Sequence, residues 1–250
     1  PFGVNIMLLS ATADAALEVV ERNRVPVVTT GAGAPGKVIE RLKPLGTKVI
    51  PVIASVAHAK RVEKQGADAV IAEGMEAGGH IGEITTMVLV PQIVDAVNIP
   101  VVAAGGVAEP RGVLAAFSLG AEGVQVGTRF VCACESNAHE AFKNEIIKAR
   151  DRSTAITGAS TGHPVRCIQN RLTREFARLE KAGASVEELE KLGTGRLRAA
   201  VVEGDVEFGS VMAGQSAALV NRIQPAAEMI RELFEGTQEM FESLHRFSNH

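Results

Sequence analysis

The sequence contains no tryptophan and no tyrosine, and aromatic residues make up only 4% of it. The missing tyrosine excludes any mechanism whose proton donor is a phenolic hydroxyl, so a donor here has to be a histidine, a carboxyl group or water. An excess of either charge is also lacking. The net charge is −3 over 250 residues, and no basic stripe interleaved with aromatics runs along the chain, which argues against a nucleic-acid partner. The three cysteines, Cys132, Cys134 and Cys167, form neither an even disulfide framework nor a paired CxxC metal pattern, which suits a reducing cytoplasm. Long apolar runs are missing too. The most apolar stretch, residues 86–108, is interrupted by Gln92, Asp95 and Asn98, and Pro91 and Pro100 would break a spanning helix. Neither a membrane span nor a signal peptide is expected.

What is present is the composition of a soluble globular protein, with 46% hydrophobic and 22% charged residues of both signs interspersed. Six short apolar, β-branched runs lie at Gly3–Leu8, Val25–Thr29, Lys48–Ala54, Ala69–Ala72, Pro100–Ala104 and Gly123–Val126. Between them lie amphipathic stretches such as "ADAALEVVERN", "GKVIERLKPLG", "SVAHAKRVEKQG" and "EPRGVLAAFSLG", each ending near Gly or Asn. This alternation predicts parallel βαβ units, and its regularity favours a TIM (β/α)8 barrel over a doubly wound sheet.

Such a barrel usually builds its phosphate site from the loops after its last two strands. Here the Gly-rich strand ends "VVAAGG" and "VQVGT" belong to the fifth and sixth strands. The chain also opens abruptly on "PFGVNIMLL", without an initiator Met. Both features predict a barrel lacking its first two βα units.

Residues 1–130 read as the barrel, and residues 131–250 as a mostly helical region that caps and flanks it. In the latter, "RCIQNRLTREFARLEKAG" has helical periodicity, and "SVEELEKLG" opens with a Ser185…Glu188 capping box. "PAAEMIRELFEGTQEMFESL" starts with a first-turn proline. The Gly-rich "EGDVEFGSVMAGQSA" between these helices reads as a loop returning to the active face.

The two Gly-rich strand ends place small residues where backbone N–H groups can approach an anion. Gly105 and Gly106 form one half of a predicted phosphate cradle, and Gly127 and Thr128 the other. His80, in "AEGMEAGGHIGE", follows the fourth strand by a short glycine-rich loop, which puts it on the same barrel rim. A lone loop histidine is ordinarily bonded to a backbone carbonyl; the shared rim makes His80 the candidate acid, base or hydrogen-bond donor.

Glu73, at the strand end, is expected to point at the ligand, and Glu76 to hold the loop in shape. No second His or Cys stands at metal-ligand spacing, so no metal is expected. Asn5 is a polar residue in an apolar strand, read equally well as a satisfied core amide or a cofactor contact. The CxC of Cys132 and Cys134 reads as packing. His58, His139, His245 and His250 read as surface residues, and His163, in "TGHPVR", has no assignment.

With these residues placed, the chain resembles the FMN-dependent enoyl-[acyl-carrier-protein] reductases II, a branch of the nitronate monooxygenase (2-nitropropane dioxygenase-like) family. The resemblance rests on "PFGVNIMLLS", "VVTTGAG", "ADAVIAEGMEAGGHIGEITTM", "PVVAAGGVA", "GVQVGTRF", "STGHPVR" and "GDVEFGSVMAGQSA". "EAGGH" is common to the whole family, whereas "EGMEAGGHIGEITTM" and "GSVMAGQSA" are closer to the reductase branch.

The resemblance implies an FMN whose phosphate lies on Gly105, Gly106, Gly127 and Thr128. Asn5, Glu73, Gly78, Gln125 and Val126 would surround the rest, with Met212, Gly214 and Gln215 nearer the substrate. It further implies His80 as the catalytic histidine, NADH or NADPH as co-substrate, and an acyl carrier protein bearing the enoyl substrate. A cytoplasmic homodimer, with no membrane or nucleic-acid partner, completes the expectation. The rival readings are a nitronate monooxygenase that oxidises alkyl nitronates with FMN and O2, and a non-catalytic flavin- or nucleotide-binding barrel.

Overall fold

The computed structural model describes residues 2–245, and the chain divides into two compact units. The first comprises residues 1–74, 83–104 and 116–125. Its strands are β1 (Gly3–Met7), β2 (Val27–Gly31), β3 (Lys48–Ile53), β4 (Val70–Glu73), β6 (Val101–Ala104) and β7 (Gly123–Gln125), with β5 (Gly79–His80) belonging to the second unit. They pair in parallel in the order β1-β2-β3-β4-β6-β7. All six predicted strands are therefore found, each beside the next. Helices α1 (Ala13–Arg22), α2 (Gly36–Leu42), α3 (Val56–Gln65), α4 (Thr86–Val94) and α5 (Pro110–Ser118) follow them in turn. The architecture is a (β/α) barrel that is open, since β1 and β7 each have a single strand neighbour among the described residues.

The sequence explains these elements locally. β3 alternates exposed or half-buried with fully buried residues along "KVIPVI", as a strand with one face in a core must. The second strand begins at Val27, two residues later than the apolar run suggests. Val25 N–H closes α1 by bonding Val20 O, and Pro26 has no N–H to give a ladder. Ser55 caps α3 through the His58 N–H, and Gly66, at φ 96°, ends it. Pro91 lies inside α4 without ending it, because the tightly buried Leu89, Val90 and Ile93 hold that helix on the sheet. The core is formed by Leu17, Val28, Leu42, Val49, Val62, Leu89, Ile93 and their neighbours.

The second unit comprises residues 75–82, 105–115 and 126–250. It holds a three-stranded antiparallel sheet in the order β5-β9-β8, where β8 is Thr154–Thr157 and β9 is Val165–Ile168. Its helices are α6 (Thr128–Val131), α7 (Glu140–Ile147), α8 (Arg171–Lys181), α9 (Val186–Gly193), α10 (Arg196–Glu203) and α11 (Ala226–His245).

This sheet departs from the sequence expectation in two ways. "RCIQNRLTREFARLEKAG" is helical only from Arg171, because Asn170 is extended and caps α8 by accepting from Thr173 N–H, while Arg166–Ile168 pair as β9. His80 lies in a strand, not in a free loop, because β9 pairs with Gly79 and His80. The Ser185–Glu188 capping box forms as expected. The core here contains Cys132, Phe142, Ile146, Val211, Ala213 and Met229.

Three polar assignments need correction or bounding. His58 is half-buried rather than exposed: its Nε2 is buried with no hydrogen-bond partner among the described residues, and burial followed by the nearby Arg61 lowers its pKa. Cys132 packs in the core with its thiol pushed up to about 11 by burial, but Cys134 is exposed, because the turn that buries one points the other outward. His139 is exposed as expected and caps α7, whereas His250 and the side chain of His245 lie outside the described residues.

Candidate active site

Site residues of the second unit gather around the segment that follows β4. Gly78 packs against backbone: a β-carbon there would lie 2.6 Å from the carbonyl carbon of Ala213. Gly214 is equally constrained, since its β-carbon would meet Glu76 O at 2.6 Å. Two hydrogen bonds lock this approach, Gln215 N–H to Glu76 O at 2.9 Å and Gly214 N–H to Thr128 Oγ1 at 2.9 Å. The 203–217 loop thus returns onto the 75–80 segment, with Met212 bridging to Cys167 and its Sδ beside Gly79. Gln215 is exposed.

Gly105 and Gly106 take left-handed φ values of 92° and 76°, and the Gly106 Cα faces the Glu76 side chain. Around Gly127 a β-carbon would meet nothing within 4 Å. The N–H groups of Gly106, Gly127 and Thr128 have no hydrogen-bond partner among the described residues. The Thr128 hydroxyl accepts from Gly214 and keeps its own proton to donate. Val126, half-buried, precedes them. Unpaired N–H groups, open space and a free hydroxyl proton fit a phosphate, and the residues present are therefore compatible with a phosphate-bearing cofactor.

His80 is exposed and lies opposite Val165 in the β5–β9 pairing. Partial desolvation of its ring, and then the like charge of His163, hold its pKa below the ordinary histidine value. Behind the segment sits a residue that sequence reading did not single out. Arg166 is only 4% exposed, donates from Nε to Met75 O at 3.0 Å and from Nη1 to Thr154 Oγ1 at 3.0 Å, and has the Glu76 carboxylate as a favourable charge. It ties β9 and β8 to the segment carrying His80. The only signal in the sequence was an arginine inside an apolar run, and its partners are 91 and 12 residues away.

The first unit carries Asn5, Glu73 and Gln125. Asn5 is exposed and its Oδ1 accepts from Thr29 Oγ1 at 2.9 Å, so it is not a buried core amide. Glu73 pairs in register with Ala104, and Ala104 with Gln125, which lines these three residues up across the ends of β4, β6 and β7. Burial raises the Glu73 carboxyl to about 7. Among the described residues no group of three or more His, Cys, Asp or Glu could hold a metal ion, and no helix is long and apolar enough to cross a membrane.

This arrangement was compared with known proteins. A probable nitronate monooxygenase of Staphylococcus aureus (strain N315) is 40% identical over 211 residues, which cover 80% of this chain and 59% of that relative. The chain therefore spans less than two thirds of the length of the curated relatives it matches. Among solved structures, FabK from Thermotoga maritima is 51% identical with a TM-score of 0.95, covering 99% of this chain and 79% of that one. A nitroalkane oxidase from Streptomyces ansochromogenes is 31% identical with a TM-score of 0.82, covering 98% and 82%. The model of the family described as nitronate monooxygenase matches residues 2–236, and the chain belongs to that family.

Proposed function

We propose that this chain acts as an FMN-dependent enoyl-[acyl-carrier-protein] reductase, reducing a trans-2-enoyl thioester with NADH or NADPH. The observation that carries this reading is the likeness to FabK, the enoyl-ACP reductase II of Thermotoga maritima: 51% identity over 99% of the chain, against 31% for the nitroalkane oxidase. FMN, when bound, supplies hydride transfer from the nicotinamide to the β-carbon of the enoyl group.

The residues of this chain do the rest. Gly106, Gly127 and Thr128 would hold the phosphate through backbone N–H groups and the Thr128 hydroxyl, with Gly105, at φ 92°, turning the chain beside them. His80, uncharged at neutral pH, donates an N–H hydrogen bond to the thioester carbonyl oxygen, where negative charge develops as the enolate forms. Its exposure leaves the site open to water, which supplies the proton that the enolate takes up at Cα. Arg166 fixes the segment behind it, so that this hydrogen bond is already aligned when substrate arrives. The thioester's natural bearer in this reading is an acyl carrier protein.

A second reading is kept by the curated relatives, which carry the name probable nitronate monooxygenase at 40% identity. One comparison separates the two: anaerobic NADH or NADPH consumption with crotonyl-CoA, against aerobic O2 uptake with propionate 3-nitronate. Enoyl-dependent consumption is expected; O2 uptake without it would replace the reductase by the monooxygenase. Within the reductase reading, His80→Ala is expected to keep FMN and lose about 100-fold or more in turnover. Full turnover in that variant would remove His80 from the chemistry.

A further inference from the structure

A second histidine, His163, lies two residues before Val165, the residue paired with His80. His80 pairs with Val165, and Ile81 N–H continues the ladder by bonding Pro164 O at 3.1 Å. Side chains of a cross-strand pair lie on one face, and residues two apart along a strand lie on that same face. His163 stands one residue beyond that ladder and outside β9, and the following Pro164 favours an extended backbone there, which sets it diagonally from His80 at a typical separation of about 7–8 Å. Both residues are exposed.

The turn before β9 is built to hold His163 there. Gly158 and Gly162 take left-handed φ values of 70° and 79°. Thr161 Oγ1 donates to Gly158 O at 2.7 Å and accepts from His163 N–H at 3.3 Å. Ser160 is pinned from α8 by the Glu180 carboxylate, through both its N–H and its hydroxyl. Extending the reductase reading, on which it rests, we infer that His163 is a positioning residue that keeps His80 in its uncharged, N–H-donating form.

The physical reason is that two imidazolium charges on one face repel, so protonation of either disfavours protonation of the other. Burial is the larger cause holding the His80 pKa down, and the charge of His163 adds to it in the same direction. Other ionisable groups do not substitute for it. Glu76 precedes His80 on its own segment and has Arg166 as its neighbouring charge; Glu83 follows it along the chain. Arg166 alternates to the opposite face of β9 and is buried against Met75 O and Thr154. Glu180 on α8 is occupied by Ser160. A neutral His80 lends the carbonyl oxygen a hydrogen bond without placing a full positive charge beside it.

The test is a histidine NMR titration of the full chain, with the His80 ring resonance assigned through His80→Gln. In His163→Gln the His80 midpoint is expected to rise by about 0.3–0.5 pH, and in His163→Lys, which fixes a positive charge at the same place, to fall below that of the parent. Raising salt to 1 M, where the screening length is about 3 Å, is expected to raise the midpoint in the parent but not in His163→Gln. An unchanged Ile81 amide resonance certifies that the ladder is intact. A His80 midpoint that stays within about 0.1 pH in both variants, or moves the same way in both, overturns the inference. Because the titration needs no turnover, it separates the two readings. Coupling without enoyl reduction overturns the proposed activity alone, and enoyl reduction without coupling overturns the role of His163 alone.

Discussion

The carbonyl oxygen of Glu76 accepts a hydrogen bond from the Gln215 N–H at 2.9 Å, joining two segments 139 residues apart on the chain. That bond exists only because Gly78 and Gly214 lack side chains where the two backbones touch. Gly78→Ala drives a β-carbon into the backbone of Ala213, and neither side can yield as a flexible side chain would. The variant is expected to lose about 1–3 kcal/mol of stability, read as a lowered Tm, with faster hydrogen exchange at Gln215. An unchanged Tm would mean that the segments are not in contact.

Glu73 gives the ligand-free protein a distinct pH dependence. Its carboxyl is raised from 4.5 to about 7 by burial, so folding favours the neutral form. The contribution is fully present below pH 4.5 and is lost as pH rises through about 7. Glu73→Gln removes the charge and flattens this dependence. Urea unfolding at pH 8.5 is expected to find the variant more stable than the parent by about 1–2 kcal/mol, with the two nearly equal at pH 4.5. Parallel pH profiles for the two proteins would show that Glu73 is not buried as described.

Arg166 predicts a split between charge and geometry. Arg166→Met leaves the Met75 carbonyl and the Thr154 hydroxyl without their buried donor, and is expected to lower stability by about 2–4 kcal/mol. Arg166→Lys keeps the charge but cannot direct two donors along the fork at once, so it recovers only part of the loss. Equal stability of the lysine variant and the parent would mean that charge alone matters.

The phosphate cradle can be separated from the fold at Gly127. A β-carbon there meets nothing within 4 Å and needs no left-handed backbone, since φ is −99°. Gly127→Ala is expected to change stability by no more than about 0.5 kcal/mol, while weakening FMN binding about tenfold by filling the space the phosphate needs. Gly106→Ala, at φ 76°, loses about 1–2 kcal/mol as well. Fluorescence titration with FMN, beside thermal melts, reads both quantities. Undiminished FMN affinity in Gly127→Ala would move the phosphate elsewhere.

The sequence by itself determined the parallel strands, because apolar β-branched runs alternating with amphipathic helices have few ways to bury both faces of a sheet. It determined the cap at Ser185 too, since a capping box depends on side chains within a few residues of the helix end it serves. Glycine pairs after strands, and a histidine after β4, were legible for the same reason: each is a local departure from the apolar pattern. Tertiary structure decided what depends on distant partners. "VRCI" became a strand because β8 and β5 pair with it, against the helical periodicity of the residues that follow. Arg166 acquired a role only when Met75 and Thr154 came within 3.0 Å, and His163 only when the β5–β9 pairing brought the residues before Val165 alongside His80. Sequence spacing fixes which residues share a helix or strand face, whereas the pairing of remote strands, which carries no local signature, fixes which faces meet.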